Sequence, residues 1–139
     1  MSFAERMRGL DRRVRGYAAM DIAVEDVTAR WVTAWTTGRT TDLFKLLAAA
    51  PAIETNLDPD GDFIELLTDY AAALDSVTVF AETVLDRRAA LVYDCTLSGE
   101  TFRLAEFLTV NESGLVTEIR RVYDLNAIER LMPHLLLEH

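Results

Sequence analysis

The chain has 139 residues and half of them are apolar, which excludes an intrinsically disordered protein and is enough for one domain with a real core. Its net charge of −9 argues against a general nucleic-acid-binding protein. No apolar run approaches the ~20 residues of a membrane span, and we expect no signal peptide. We therefore expect neither a membrane nor a nucleic acid as a partner. The single cysteine, Cys95, excludes an internal disulfide and favours a reducing, cytoplasmic location.

Residues 1–20 are predicted to form an N-terminal amphipathic arm with a short helix over residues 3–17. They hold five arginines against two acids, so the remainder of the chain is strongly acidic. We expect the arm to pack on its own domain or on a partner; a membrane-surface helix is the alternative, but the acidic body would oppose anionic lipid. The apolar residues of the arm recur at spacings of four and three: Phe3, Met7, Leu10, Val14 and Tyr17.

A single domain is predicted over residues 21–136, and residues 137–139 are interpreted as the remnant of a histidine tag. The domain begins with a helix that carries Trp31 and Trp35 on one stripe and stops at Gly38. Thr41 is predicted to cap a second helix, "DLFKLLAAA", which ends at Pro51.

The next segment, "AIETNL", is compatible with a short strand, and "DPDG" is typical of a turn. Asp62 and Glu65 then resemble a capping box for a helix that runs to Leu74.

Four β-rich segments follow, at residues 77–85, 89–97, 101–110 and 115–123. The links between them are short enough for antiparallel hairpins. A final amphipathic stripe, interrupted by Pro133, predicts a C-terminal helical segment: Leu125, Ile128, Leu131, Met132 and Leu135. The order favours an α+β fold with helices against one face of an antiparallel sheet.

The motifs exclude several chemistries. The sequence has no phosphate-binding glycine loop, no paired-cysteine motif and no HExxH. His134 is the only histidine outside the presumed tag, so a histidine base or a two-histidine metal site is not expected. We expect no metal and no cofactor, and carboxylates remain as the available reactive groups.

The segment "FRLAEFLTV" places Glu106 on the apolar face of a predicted strand. An unpartnered buried carboxylate is costly, so its position requires an explanation. If Tyr93 and Arg121 on the neighbouring strands point to the same side, the sheet offers an acid, a cation and a phenol together. Each of these residues also has a purely structural explanation. Glu106 and Arg121 could form a buried ion pair, the two tryptophans could belong to the core, and Cys95 could fill space as a small apolar side chain.

Two stretches, "ARWVTAWTTGRTTDLFKLL" and "LAEFLTVNESGLVTEIRRVYDL", resemble the nuclear-transport-factor-2-like superfamily. The resemblance is nearest to its SnoaL-like and ketosteroid-isomerase-like branch and covers roughly residues 21–127. It implies a cone: a strongly curved antiparallel sheet packed on N-terminal helices, enclosing an apolar cavity. It also implies a homodimer, formed through the outer face of the sheet.

Only some functional positions of ketosteroid isomerase fall on residues of this chain that could take the same role. The isomerase's protonated acid falls on Glu106 and its oxyanion-hole tyrosine falls on Trp31. Its general base falls on Thr55, which cannot serve as a base. The Asp–Arg–Asp arrangement of limonene epoxide hydrolase is also absent. For a SnoaL-type cyclase the candidate acids are Glu106, Asp94 and Asp124.

Two functions remain open. In the first, the cone binds a small, mostly apolar molecule, with carboxylate acid/base chemistry of the isomerase, cyclase or hydratase type. Glu106 would act as the acid, with Tyr93 and Arg121 orienting the ligand. The expected lining residues are Trp31, Trp35, Phe44, Thr55, Cys95 and Tyr123. In the second, the protein is a non-catalytic dimerisation or partner-binding scaffold with a packed or vestigial cavity. Whether the protein is an enzyme stays open.

Overall fold

The computed structural model describes residues 15–58 and 60–138. The first helix, α1, spans Arg15–Thr36, so the predicted division between residues 20 and 21 falls inside a continuous helix. The predicted arm helix lies mostly outside the described residues.

The turn after α1 is formed at Gly38, as predicted. Gly38 has a φ of +73°, a conformation that glycine adopts without the steric cost of a Cβ. The amide of Arg39 donates to the carbonyl of Ala34 at 2.8 Å, and the amide of Gly38 donates to that of Trp35 at 3.3 Å. These two bonds are those of a Schellman motif, which satisfies the last carbonyls of α1 and reverses the chain.

The second helix, α2, spans Thr40–Leu46 and is shorter than predicted. Arg39 occupies its N-cap position without a side-chain hydrogen bond, so the predicted cap at Thr41 is wrong. The predicted helical residues 47–50 instead begin a strand, β1, at Leu47–Thr55. A proline disfavours helical dihedrals in the residue before it, so Pro51 favours an extended backbone at Ala50.

Strand β1 pairs in parallel with a strand about 65 residues further on, as in Ile53↔Ile119 and Thr55↔Arg121. This long-range pairing outweighs the helix preference of the alanines, which amounts to only a few tenths of a kcal/mol per residue. Pro51 is tolerated because β1 is an edge strand.

Helix α3 spans Phe63–Ala73 and confirms the predicted start. The side chain of Asp62 accepts a hydrogen bond from the amide of Glu65 at 3.0 Å. This N-cap satisfies one of the free amides at the beginning of the helix.

The four predicted β-rich segments form an antiparallel meander. Its strands are β2 at Ser76–Leu85, β3 at Arg88–Leu97, β4 at Glu100–Val110 and β5 at Val116–Val122. With β1 they make a curved, unclosed five-stranded sheet in the order β1-β5-β4-β3-β2. The chain ends with α4 at Leu125–Leu131 and α5 at His134–Glu138. The predicted α+β architecture is therefore confirmed.

The sheet has one buried and one exposed face, because alternate residues of each strand point to opposite sides. Strand β4 shows this most clearly, since Leu104, Glu106 and Leu108 are buried while Arg103 and Phe107 are exposed. The helices cover this face over β3, β4 and β5, so alternate side chains of these three strands enter the interior.

Candidate functional site

Glu106 lies at the centre of the buried face with no exposed surface. Its Oε1 accepts two hydrogen bonds, one from Trp31 Nε1 on α1 at 3.0 Å and one from Tyr93 Oη on β3 at 2.6 Å. Helix α1 and strand β3 therefore fix the carboxylate from two sides. Both bonds involve a charged acceptor, a type that is stronger than a bond between neutral groups.

Arg121 is paired with Glu106 across β4 and β5 and is also fully buried. Its Nε lies 3.1 Å from Glu106 Oε2, which makes a buried ion pair. The contact is an ion pair without a hydrogen bond, and neither atom has a hydrogen-bond partner among the described residues. The same holds for Arg121 Nη2. The charges are thus compensated while part of their hydrogen-bonding capacity is unused.

Aromatic rings surround the arginine. The guanidinium carbon lies 4.1 Å from the centroid of the Trp35 ring, within cation–π range. Arg121 Nη1 donates to Tyr123 Oη at 3.1 Å. Tyr70 meets Tyr123 edge-to-face, with centroids 4.8 Å apart. A planar, weakly hydrated guanidinium suits such an enclosure better than a lysine would.

Tyr93 connects this arrangement to Trp35. The Nε1 of Trp35 donates to Tyr93 Oη at 3.2 Å, and the same hydroxyl donates to Glu106. Burial raises the pKa of Tyr93, and the negative charge of Glu106 raises it further. Tyr93 consequently keeps its proton at neutral pH and remains a donor to the carboxylate.

The charge of Arg121 is maintained despite its burial. Burial lowers the pKa of its guanidinium, but the neighbouring Tyr123 and Glu106, followed by Tyr93 and Tyr70, outweigh that effect and leave the pKa raised. The interior therefore holds a permanent cation beside a carboxylate.

The structure brings together most of the residues that the sequence singled out. Trp31, Trp35, Tyr93, Glu106, Arg121 and Tyr123 form one buried cluster, which we call the Glu106 cluster. Cys95 borders it, with its sulfur 3.4 Å from the hydroxyl of Tyr70.

Phe44 lies away from the cluster, whereas Thr55 lies at its edge, in register with Arg121 on the neighbouring strand. Phe44 is 60% exposed on α2. Thr55, at the end of β1, uses its hydroxyl to accept from the amide of Leu57 at 3.1 Å.

The other two candidate acids are engaged in local contacts. Asp94 lies on the outer face of the sheet and pairs with Arg103 at 3.2 Å. Asp124 caps α4 by accepting from the amide of Ala127 at 3.0 Å. Glu106 is the only acid that is buried among the described residues.

Two residues of the site were missed by sequence reasoning. Tyr70 reaches the cluster from α3, and its position seven residues after Phe63 on the apolar stripe could have indicated this. Asn56 bonds both the amide and the carbonyl of Tyr123, at 2.8 and 2.9 Å. No sequence signal marked Asn56, because its partner lies 67 residues away.

Within the described part of the chain, no group of three or more His, Cys, Asp or Glu side chains is arranged to hold a metal ion. Among the same residues, no helix combines the length and the apolar character needed to cross a membrane.

No protein-family model and no curated protein matches the chain. Solved structures do. A steroid delta-isomerase from Pseudomonas aeruginosa matches with a TM-score of 0.68 at 8% identity, over 84% of this chain and 90% of that one. An NTF2-like protein of unknown function from Cytophaga hutchinsonii matches with a TM-score of 0.58 at 16% identity, over 76% and 94%. A de novo designed NTF2-fold protein matches with a TM-score of 0.57 at 15% identity, over 82% and 93%.

The chain therefore has the fold of the nuclear-transport-factor-2-like superfamily, as its sequence resemblance indicated. At these identities the likeness defines the fold alone, and function has to be argued from the site.

Proposed function

We propose that this protein binds a small, mostly apolar molecule between its helices and the buried face of the sheet, next to Glu106 and Arg121. The observation that supports this is the unused hydrogen-bonding capacity of two buried groups, Glu106 Oε2 and Arg121 Nη2. An unsatisfied buried polar group costs about 1–3 kcal/mol, and native proteins rarely leave one. A ligand with a polar group on an apolar body would satisfy these atoms and pack against the aromatic rings.

The contacts of Glu106 favour the role of a proton acceptor rather than the acid that the resemblance implied. Trp31 and Tyr93 both donate to Oε1, and Arg121 faces Oε2. Donors and cations of this kind interact with an ionised carboxylate. In an isomerase-, cyclase- or hydratase-type reaction, Glu106 would accept a proton from the substrate while Arg121 and Tyr93 orient it.

A thermal-shift screen tests this proposal. Small ketones and phenols should raise the melting temperature of the wild type, because a ligand at about 100 times its Kd adds about 2.7 kcal/mol to the stability of the native state. Glu106→Gln should abolish or strongly reduce the shift. Glu118→Gln, which removes an exposed acid from β5, is the matched control and should respond like the wild type.

The screen also has a result that would exclude the proposal. If no compound stabilises the wild type, or if Glu106→Gln responds as the wild type does, the Glu106 cluster is not a ligand site.

A second candidate is a dimerisation scaffold, supported by two observations. Glu106 and Arg121 have no exposed surface and contact each other directly, as in a purely structural ion pair. The outer face of the sheet also exposes large apolar side chains, Phe80 at 55%, Phe107 at 45% and Val122 at 43%. Exposed apolar patches commonly mark interfaces, and we propose that a second copy of the chain covers this one.

Sedimentation analysis of two matched variants tests the dimer. Phe107→Asp places a charge on the outer face and should yield monomers. Phe44→Asp makes the same change at a similarly exposed site on α2 and should leave the dimer intact. A monomeric wild type, or equal dissociation of both variants, would contradict an interface on the sheet.

A further inference from the structure

A groove runs between α1 and α2 and is lined by residues of α1 other than Trp31 and Trp35, which enter the Glu106 cluster. Its volume is about 400 Å³, within the usual size range of small-molecule sites. Ala29, which is exposed, contributes aliphatic surface to it, together with the small accessible edge of Leu46. Trp31 and Trp35 leave the same helix towards the interior, so the groove is physically separate from the proposed ligand site.

Most of the charged side chains that line the groove are positively charged. Arg30, Arg39 and Lys45 line it, against the single carboxylate of Asp42. The whole chain carries a net charge of −9, so this basic groove contrasts with the rest of the molecule. A local field of this sign attracts anions.

The cations of the groove are weakly engaged within the protein. Arg39 makes no side-chain ion pair or hydrogen bond to the described residues. Lys45 lies 3.8 Å from Asp42, and Arg30 lies 3.1 Å from Asp26, in pairs with about half or more of each side chain exposed. Exposed pairs of this kind contribute little to stability, so both cations can turn towards a ligand at small cost.

The turn at Gly38 places these charges together. Its two Schellman hydrogen bonds fix the end of α1 against the start of α2, with Arg39 directly after the glycine. Arg30 therefore lines the groove from one helix and Lys45 from the other, around the aliphatic surface of Ala29 and Leu46. The arrangement is an aliphatic floor with positive charge on both sides.

We propose that the groove between α1 and α2 binds a small organic anion, a carboxylate with a short apolar body. The apolar body would lie against Ala29 and the edge of Leu46, and the carboxylate would contact Arg39 and Lys45. An inorganic anion would gain nothing from the floor, and a neutral molecule would gain nothing from the cations. Both parts of the ligand are therefore needed.

Amide chemical-shift titrations with hexanoate test the proposal on the full chain. Hexanoate should shift resonances of residues 29–34 and 39–46, whereas hexan-1-ol and inorganic phosphate should shift them far less. Arg39→Gln combined with Lys45→Gln should raise the Kd for hexanoate about fivefold, as expected for the loss of two exposed charges. The control, Arg103→Gln combined with Arg120→Gln, removes the same charge from the outer sheet face and should leave the Kd unchanged.

Four results would overturn the proposal. They are shifts that cluster on another face, an equal response to hexan-1-ol, a Kd within twofold of the wild type in the Arg39/Lys45 double variant, and tighter binding of hexaglutamate than of hexanoate. The last result would assign the groove to acidic peptides. None of them bears on ligand binding at Glu106, because the two sites are lined by different residues of α1.

Discussion

Glu106→Gln is the most informative single substitution, because it removes one charge and almost no volume. Glutamine can still accept from Trp31 and Tyr93 through its carbonyl oxygen. Arg121, however, would remain as a buried cation without its counter-ion, because an arginine guanidinium does not lose its proton in proteins. Breaking a buried ion pair in this way costs about 3–5 kcal/mol. We expect the lower end, about 3 kcal/mol, because cation–π contacts remain.

A loss of this size is readily measured. It is a large part of the 5–15 kcal/mol that stabilise a typical domain, and it corresponds to a melting temperature lower by roughly 10 °C. Urea unfolding at pH 7, followed by the fluorescence of the buried Trp31 and Trp35, reports the free energy of unfolding directly. Asp94→Asn, which breaks the partly exposed pair with Arg103, is the control and should change it by about 0.5 kcal/mol or less.

A double-mutant cycle separates the pair from its surroundings. Arg121→Met alone should destabilise by an amount similar to Glu106→Gln, because it leaves the carboxylate without its cation. The double variant should lose much less than the sum, with a coupling energy of about 2 kcal/mol or more. If Glu106→Gln costs under 1 kcal/mol, or if the two substitutions are additive, the two charges do not compensate each other in the native state and the reasoning fails.

Two further predictions concern alkaline pH and the turn after α1. Burial raises the pKa of Tyr70, Tyr93 and Tyr123, so each ionises more readily in the unfolded chain, from its usual value of 10.0 upwards. The stability that these protonated tyrosines contribute is complete below about pH 10 and falls as the pH rises further. An absorbance titration at 295 nm should show these tyrosines ionising only when the protein unfolds. Reversible ionisation of all tyrosines in the folded state would contradict this. Gly38→Ala should lower the free energy of unfolding by about 1 kcal/mol in a urea titration. No atom lies within 4 Å of the added Cβ, so only the positive φ of this position opposes an alanine. An unchanged midpoint of urea unfolding would argue against a left-handed turn at Gly38.

Local sequence patterns were sufficient to predict most of the helices and strands. Alternating residues and short polar links identified β2 to β5, and Asp62 with Glu65 identified the start of α3. These signals lie within a few residues of each other and depend on backbone geometry alone. The alanines at residues 48–50 were misread as helix because their strand conformation depends on pairing with β5, a partner that no local pattern reveals.

The candidate site was predictable in its members but not in its contacts. Alternation on β4 was enough to place Glu106 on the apolar face. The same rule grouped Tyr93 and Arg121 only within their own strands, and the register of β3, β4 and β5 decided that the three share a face. Phe44 shows the limit of this reasoning, because a short helix offers several faces and its packing decides which one is exposed.

The sequence alone determined that one carboxylate enters the core of an α+β domain, because strand periodicity assigns each side chain to a face. Only the tertiary structure decided what that carboxylate meets. Trp31 from α1, Tyr93 from β3 and Arg121 from β5 reach Glu106 from positions up to 75 residues away from it in the sequence. Sheet register and helix packing set such distances, and these arise from the sum of contacts over the whole chain.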